Sequence, residues 1–316
     1  MTIDNAQLTI GGRRLRAGKG FFRKALAVTS YDFRLWRRNP RIAVTFGLAF
    51  VLCFLLSDKA VRFSLEYKTT MQIVESFVWT FGDSNSILLA SMLLLLLFAD
   101  MPFINSGTPF YLMRIDRKTW LAGQAMYIAS ATLVYLLFIL GATALVSMRQ
   151  SFVGNMWSET AAILGYSGAG QKVALPALVK TLEMSRPYAC MGTIFLLMLL
   201  YALLLAFVML AFNLKKGQIA GVVSAFAFSL FGFLLNPQTI KAIFQLPDEL
   251  TYKANVAVGW LSPLNQATYR MHNFGYDLLP RLWQTYLIFG ALISLCFLAA
   301  LRASRTYNFN FTGTDE

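Results

Sequence analysis

The sequence predicts an all-α, polytopic membrane protein with six transmembrane helices, both termini in the cytoplasm and an amphipathic interfacial helix before the first span. The chain is 57% hydrophobic, and six apolar segments are each about long enough to cross a hydrocarbon layer ~30 Å thick. Basic residues are concentrated on every second connection between these segments. The predicted spans are residues 42–57, 86–103, 120–147, 188–213, 218–236 and 282–301.

The distribution of Lys and Arg predicts the orientation, because loops rich in these residues are retained on the cytoplasmic side. More than half of the 28 Lys and Arg residues lie on one side of the predicted spans, and the other side is close to neutral. The basic residues of the cytoplasmic side are Arg13, Arg14, Arg16, Lys19, Arg23, Lys24, Arg34, Arg37, Arg38, Arg41, Arg114, Arg117, Lys118, Lys215, Lys216, Arg302 and Arg305. Because this charge is beside the membrane, we expect anionic lipid headgroups, and not nucleic acid, as its partner.

The spans divide the chain into three parts. Residues 1–41 are predicted to form a cytoplasmic basic tail with the interfacial helix, residues 42–301 the six-helix domain, and residues 302–316 a second cytoplasmic tail. The long polar start indicates an uncleaved first span and not a signal peptide. Cys53, Cys190 and Cys296 lie in apolar segments, where we expect small hydrophobic residues and no disulfide framework.

The interfacial helix is predicted from Gly20 to Arg38. Its apolar residues recur at helical spacing and share one face: Phe22, Ala25, Leu26, Thr29, Phe33 and Trp36. The basic residues Arg23, Lys24, Arg34, Arg37 and Arg38 point the other way. A helix of this kind lies in the headgroup plane, and Asn39-Pro40 ends it, because a residue before proline is disfavoured in the α region. A plain positively charged anchor is the alternative.

The predicted span cores contain no Asp, Glu, Lys, Arg or His between their flanking charges, and Asp100 stands at the cytoplasmic end of the second segment. Ion-coupled transporters usually keep such residues in mid-membrane to carry the coupling, and metal or hydrolytic enzymes need clustered His and carboxylates. The only histidine, His272, is expected to form an exposed polar pair with Asn273. No catalytic, cofactor-binding or metal-binding residue is predicted, and any energy for transport must come from a partner.

A nucleotide site is not expected in this chain. A phosphate-binding loop requires the pattern G-x-x-x-x-G-K-[ST]. The nearest candidate is Gly18-Lys19-Gly20, where position 13 is Arg instead of Gly and position 20 is Gly instead of a hydroxyl residue. This stretch is therefore interpreted as a basic tail at the membrane surface.

The inner loop from Asn105 to Trp120 has a distinctive composition. Turn residues come first, and apolar residues then alternate with charged ones, which predicts a short segment touching both the membrane and a soluble partner. The loop closes with R-x-D-R-x-x-W-L-x-G, from Arg114 to Gly123. This loop resembles the coupling segment of ABC-2 type (type-2 exporter) permeases of bacterial ABC transporters. The helix before the first span, the outer stretch Gly259 to Asn265 and the ending Arg305 to Phe311 are also similar to that family.

The resemblance implies a permease subunit that forms the substrate path of an ATP-driven exporter in a bacterial-type plasma membrane. It implies pairing with a second copy or a sister permease, and with a separate cytoplasmic ATPase that binds the ATP and Mg. The 105–118 loop would be the docking surface, through Phe110, Tyr111, Met113, Arg114, Asp116 and Arg117. A short interfacial loop without a partner is the alternative reading of these residues.

Small residues in the fifth segment predict close helix contact. Gly217, Gly221 and Ala225 recur at four-residue spacing, which lets helix backbones approach. The contact is expected within the chain more than between subunits. An alternative function, a membrane scaffold or sensor that regulates a partner without transport, remains open, because it too needs a docking surface on the inner side.

Overall fold

The computed structural model describes residues 4–99, 101–102, 113–172, 175, 179–245, 247, 250–275 and 277–307, and for residues 4–19 and 171–172 it describes the backbone alone. It confirms the all-α fold class, since 81% of the chain is helical. The helices are α1 (Asp4–Leu35), α2 (Pro40–Glu66), α3 (Glu75–Phe81), α4 (Ser84–Leu97), α5 (Arg117–Ser147), α6 (Glu159–Tyr166), α7 (Ala169–Lys172), α8 (Val179–Met184), α9 (Pro187–Lys216), α10 (Gln218–Leu234), α11 (Pro237–Phe244), α12 (Thr251–Leu261), α13 (Pro263–Gln266) and α14 (Leu282–Thr306). Short 3₁₀ turns occupy Trp36–Arg38, Met148–Gln150 and Tyr269–Met271, and two short strands are β1 (Met71–Gln72) and β2 (Ser151–Phe152).

Among the described residues, 4 helices are long and apolar enough to cross a membrane by themselves. They are α2, α5 with its following 3₁₀ turn, α9 and α14. Two bent pairs, α3 with α4 and α10 with α11, pass the same test jointly, with bends of 90° and 72°. The predicted count of six is therefore the upper limit, reached only if each bent pair is one span.

The second predicted span is not a continuous helix over residues 86–103. Helix α4 has 14 residues, about 21 Å at 1.5 Å per residue, which is shorter than the hydrocarbon layer. It begins after Asp83, which is extended (φ −110°, ψ 143°) and whose carboxylate accepts a hydrogen bond from the backbone N–H of Asn85. Because Asp83 is extended, α3 ends before it, and its cap starts α4 in another direction.

The fifth segment breaks in the same way, at its other end. Asn236 is extended, its side chain accepts a hydrogen bond from the backbone N–H of Thr239 at 2.8 Å, and Pro237 occupies the first position of α11. Proline is well suited to that position, because the first helical N–H has no intrahelical partner. The local sequence therefore fixes this 72° bend.

Helix α9 lies at the centre of the bundle. It packs against α14, α10 and α5, and 72% of its most apolar window is buried, against 22% for α2 and 17% for α14. The rings of Phe207 on α9 and Phe297 on α14 meet edge to face at 6.1 Å. The strongly exposed apolar faces of α2 and α14 are consistent with contact with lipid, because such large apolar surfaces are rare on soluble proteins.

Helix α1 packs along the first turns of α5. The Thr29 hydroxyl donates a hydrogen bond to the carbonyl oxygen of Gly123 at 2.9 Å. A Cβ at Gly123 would lie 2.7 Å from Val28 Cβ and 2.9 Å from the carbonyl oxygen of Ala25. The two backbones approach closely because position 123 has no side chain.

This contact divides the predicted apolar face of α1. Ala25 and Thr29 are buried against α5, whereas Phe22 is 58% exposed and Leu26 is 48% exposed. Val28 and Asp32, which the prediction left out, are buried. The helix therefore has a face toward the protein and an apolar strip beside it. The predicted end at Asn39 is confirmed, because Asn39 is extended (φ −99°, ψ 107°) before Pro40.

At the opposite end of the bundle, the connection between α2 and α3 is hydrogen-bonded to the connection between α5 and α6. Strand β1 pairs in parallel with β2. Fully buried Glu75 follows β1, and its carboxylate accepts hydrogen bonds from the Ser158 N–H at 2.7 Å and the Ser158 hydroxyl at 2.6 Å. The burial of this carboxylate is not predictable from the sequence, because a single Glu in a polar connection has no periodic signal. A buried carboxylate held in this way fixes the connection before α6 onto α3.

The prediction of an exposed pair at His272 and Asn273 is wrong for the histidine, which is fully buried. Its Nδ1 lies 3.1 Å from the carbonyl oxygen of Thr268, and its Nε2 lies 3.0 Å from the Thr285 hydroxyl. Burial lowers the pKa of His272 to about 4. The neutral ring therefore ties the 3₁₀ turn before α14 to the first turns of that helix.

We predict that Gly123→Val separates α1 from α5. The new side chain would overlap Val28 and the backbone of Ala25, at a cost of about 1–3 kcal/mol in unfolding free energy. Thermal unfolding in detergent should shift to lower temperature, and trypsin should cut α1 faster. Gly141→Val is the matched control on the same helix, because a Cβ there meets nothing within 4 Å. Equal effects of the two variants would contradict the close contact.

Candidate functional site at the basic end

The basic end is the end of the bundle that contains the start of α5 and the ends of α9 and α14. Two hydrogen-bonded contacts and one shared groove define it. Arg117 at the start of α5 reaches the end of α14, and the side-chain amide of Asn213 near the end of α9 donates to the carbonyl oxygen of Met101 at 2.6 Å. Lys215 and Arg302 line one groove between α9 and α14. Basic residues far apart in sequence thus share one end of the fold.

Of the predicted docking residues, Phe110 and Tyr111 lie outside the described residues. Met113, Arg114 and Asp116 are exposed at the basic end, and the Met113 side chain is 77% exposed. Asp116 occupies the N-cap position of α5, but its side chain makes no capping hydrogen bond. Its carbonyl oxygen accepts the helical hydrogen bond from the Trp120 N–H at 3.0 Å. These three side chains are therefore displayed on a segment whose end is fixed by the start of α5.

Arg117 has a different environment, although it is next in the sequence. Its Nη1 donates to backbone carbonyl oxygens at the end of α14, at 3.1 Å to Ser304, 2.7 Å to Arg305 and 3.2 Å to Tyr307. The last carbonyls of a helix have no intrahelical partner, and a cation there also favours the negative end of the helix dipole. Arg117 is therefore a tie between the start of α5 and the end of α14.

The small-residue stripe of α10 faces the interior of the chain at two of its three positions. A Cβ at Gly221 would lie 1.7 Å from Asn213 Oδ1 and 2.6 Å from the carbonyl oxygen of Met209, both on α9. Ala225 is fully buried. Gly217 has another role: it is exposed, has a positive φ of 95° and joins α9 to α10. Glycine suits this turn because it adopts positive φ without a Cβ clash.

A buried carboxylate lies beside the first turns of α5. Asp32 on α1 is 3% exposed, and its Oδ2 accepts a hydrogen bond from Gln124 Nε2 at 2.8 Å. Burial raises the pKa of Asp32 to about 7, against a smaller opposite effect of the Gln124 hydrogen bond. Sequence reasoning missed this residue because it stands within a stretch of many Arg and Lys. Asp32 lies three residues after Thr29 and four after Val28, so it falls on the same face of the helix. This spacing was the available signal.

An aromatic cluster completes the α1 contact. Trp36 Nε1 donates to the hydroxyl of Tyr127 at 2.8 Å. The Phe33 ring lies 4.9 Å from that of Trp36 and 5.1 Å from that of Tyr127, and Trp36 also contacts Phe46 on α2 at 5.8 Å. Rings at these separations pack favourably. The arrangement links α1, α2 and α5 through side-chain contacts.

We predict that Arg117→Ala destabilises the end of α14 without any partner present. The substitution removes the charged donor from three carbonyl oxygens, which corresponds to about 1–2 kcal/mol for exposed charge-assisted hydrogen bonds. Hydrogen exchange of the last turn of α14 should accelerate. Arg114→Ala, three residues away and exposed, is the control and should leave exchange unchanged. Unaltered exchange in Arg117→Ala would show that the tie is not made in solution.

We predict that the contribution of Asp32 to the free energy of unfolding falls as the pH rises. Because the folded pKa of about 7 exceeds the ordinary value of 3.8, the folded state holds a proton that the unfolded state releases. The loss begins near the ordinary pKa and is complete above about pH 7. Asp32→Asn keeps the shape and the amide contact but does not titrate, so its melting temperature should exceed that of the wild type at pH 8 and approach it near pH 4. A constant difference across this range would contradict the buried proton.

Comparisons of the chain with protein-family models, curated proteins and solved structures find no match. In the described residues, no group of three or more His, Cys, Asp and Glu side chains could hold a metal ion. The functional interpretation therefore depends on the chain's own residues.

Proposed function

We propose that this protein is the transmembrane permease subunit of an ATP-driven ABC exporter, in a bacterial-type plasma membrane with the basic end in the cytoplasm. A separate cytoplasmic ATPase binds ATP and Mg and docks on the exposed segment before α5. A second copy or a sister permease completes the substrate path. The chain supplies helices and a mechanical connection, and the partner supplies the energy.

The observation that carries the proposal is the Arg117 tie. Force applied to the segment containing Met113, Arg114 and Asp116 acts on the start of α5, and Arg117 joins that point to the end of α14. The same turns of α5 hold α1 through Gly123 and Asp32. A small displacement at one exposed segment therefore reaches three helices, which is what a subunit driven from outside requires.

The bent pairs support the same proposal. Broken helices place backbone groups and helix ends within the apolar layer, where they are tolerated only if protein or a water-filled path covers them. Transport proteins use such helices at their substrate paths and gates. The elbow at Asp83 has an ion pair with Arg270, with Arg270 Nη2 3.0 Å from Asp83 Oδ1, so the break in α3–α4 is fixed to the segment before α14.

We expect the chain, purified from its own membrane in mild detergent, to retain an ATP-hydrolysing subunit and to stimulate its activity. Arg114→Glu should reduce hydrolysis to the rate of the isolated ATPase, because it reverses charge at the proposed docking surface while Arg117 keeps the fold intact. Arg149→Glu is the matched control, as Arg149 is exposed at the opposite end of α5.

If Arg114→Glu still stimulates ATP hydrolysis fully, this segment is not the docking surface. Purification with a kinase or other regulatory protein, and without any ATPase, would instead favour a scaffold or sensor function. The wild-type complex is measured first, so a failure of docking is distinguished from a failure of the permease proposal itself.

A further inference from the structure

An open groove lies between α9 and α14 at the basic end. Its volume is about 610 Å³, within the range of small-molecule sites. The walls come from residues four and three positions apart on the two helices: Ala211, Phe212, Leu214 and Lys215 on α9, and Ala299, Arg302, Ala303 and Thr306 on α14. Gly217 and Tyr307 complete the lining. Apolar side chains from both helices thus line the groove together with two cations.

The two cations are not neutralised by the protein in the part of the chain that the structure describes. Lys215 and Arg302 are exposed, and neither forms an ion pair with a described acidic residue. Phe212, on the apolar wall, is 42% exposed. A groove that combines unpaired positive charge with an apolar wall is complementary to an anionic amphiphile.

The depth of the groove fits a lipid. Helix α14 has 25 residues, about 37 Å in length, so it extends beyond a hydrocarbon layer ~30 Å thick and brings Arg302 to headgroup level. Cations there attract anionic headgroups, and long apolar side chains below them contact acyl chains. Both chemical parts of the groove are at the depth that a phospholipid requires.

Helix dipoles act in opposite directions at this site. The C-terminal ends of α9 and α14 carry partial negative charge, which repels an anion. Arg117 already binds the carbonyls of Ser304 and Arg305 in α14 and of Tyr307 just after it. Helix α10 begins at the groove with a first turn that its cap residue Gly217 does not cap by a side chain. Two full positive charges exceed the remaining partial charges, so the net field favours an anion.

We propose that this groove binds an anionic phospholipid of the membrane, with its phosphate between Lys215 and Arg302 and an acyl chain along Phe212 and Ala299. This inference uses the orientation in the proposed function but does not require transport. Tyr307 lines the groove and its carbonyl oxygen accepts from Arg117. The bound lipid would therefore lie beside the segment that Arg117 ties to α5.

The test is native mass spectrometry of the full-length chain in detergent with added phosphatidylglycerol or phosphatidylcholine. The wild type should bind phosphatidylglycerol more tightly. The double variant Lys215→Ala with Arg302→Ala should lose roughly 30-fold in affinity for it, from the loss of two surface cations. Arg149→Ala with Lys253→Ala removes the same charge from exposed positions outside the groove and should bind as the wild type does.

A third variant separates a shaped groove from a diffuse basic surface. Ala303→Trp fills the groove but keeps both cations, so it should reduce phosphatidylglycerol binding. Retained binding in Ala303→Trp, equal losses in both double variants, or equal binding of the two lipids by the wild type would overturn the proposal. A dimer that Ala303→Trp converts to monomer, with lipid binding unchanged, would make the groove a subunit contact and also overturn it. Melting temperatures confirm that each variant is folded.

Discussion

In an apolar layer every backbone N–H and C=O must find its partner within the protein, and the fold depends on this constraint. Helices satisfy it along their length but not at their ends, where four groups on each side lack an intrahelical partner. At several of these ends the chain places a polar side chain. Asp83 and Asn236 cap the helices that begin at the two bends, and Arg117 satisfies the carbonyls that end α14.

The same constraint makes the basic end a mechanical unit. Contacts made for hydrogen bonding also join elements remote in sequence: Arg117 joins α5 to α14, Thr29 joins α1 to α5, and Asn213 joins α9 to Met101. Close approach at Gly123 brings α1 and α5 near enough for the Thr29 bond. In the proposed permease, these ties transmit the motion of a docked ATPase, and the lipid groove lies beside one of them. Structure and coupling would then use the same few residues.

The sequence predicted where in the chain the site lies, but not which of its residues contact one another. The charge pattern marked the basic residues, and the turn chemistry marked the segment before α5. Nothing in the sequence distinguished Arg114 from Arg117, because both stand in the same charged stretch and both are exposed. Only the fold shows that Arg117 is bound to the end of α14. Asp32 is buried because α1 packs against α5. Glu75 is buried because it binds Ser158. Isolated carboxylates in polar surroundings carry no periodicity, so their burial has no signal in the local sequence.

The sequence by itself determined the all-α class, the apolar segments and the concentration of basic residues at alternate connections, because these depend on composition and on a period of 3.6 residues. It also determined the end of the first helix at Asn39, where proline acts on its own neighbour. The tertiary structure decided that His272 and Asp32 are buried and that the apolar face of α1 is divided between α5 and its surroundings. Each of these depends on contacts between residues distant in sequence, whose partners a local pattern does not name.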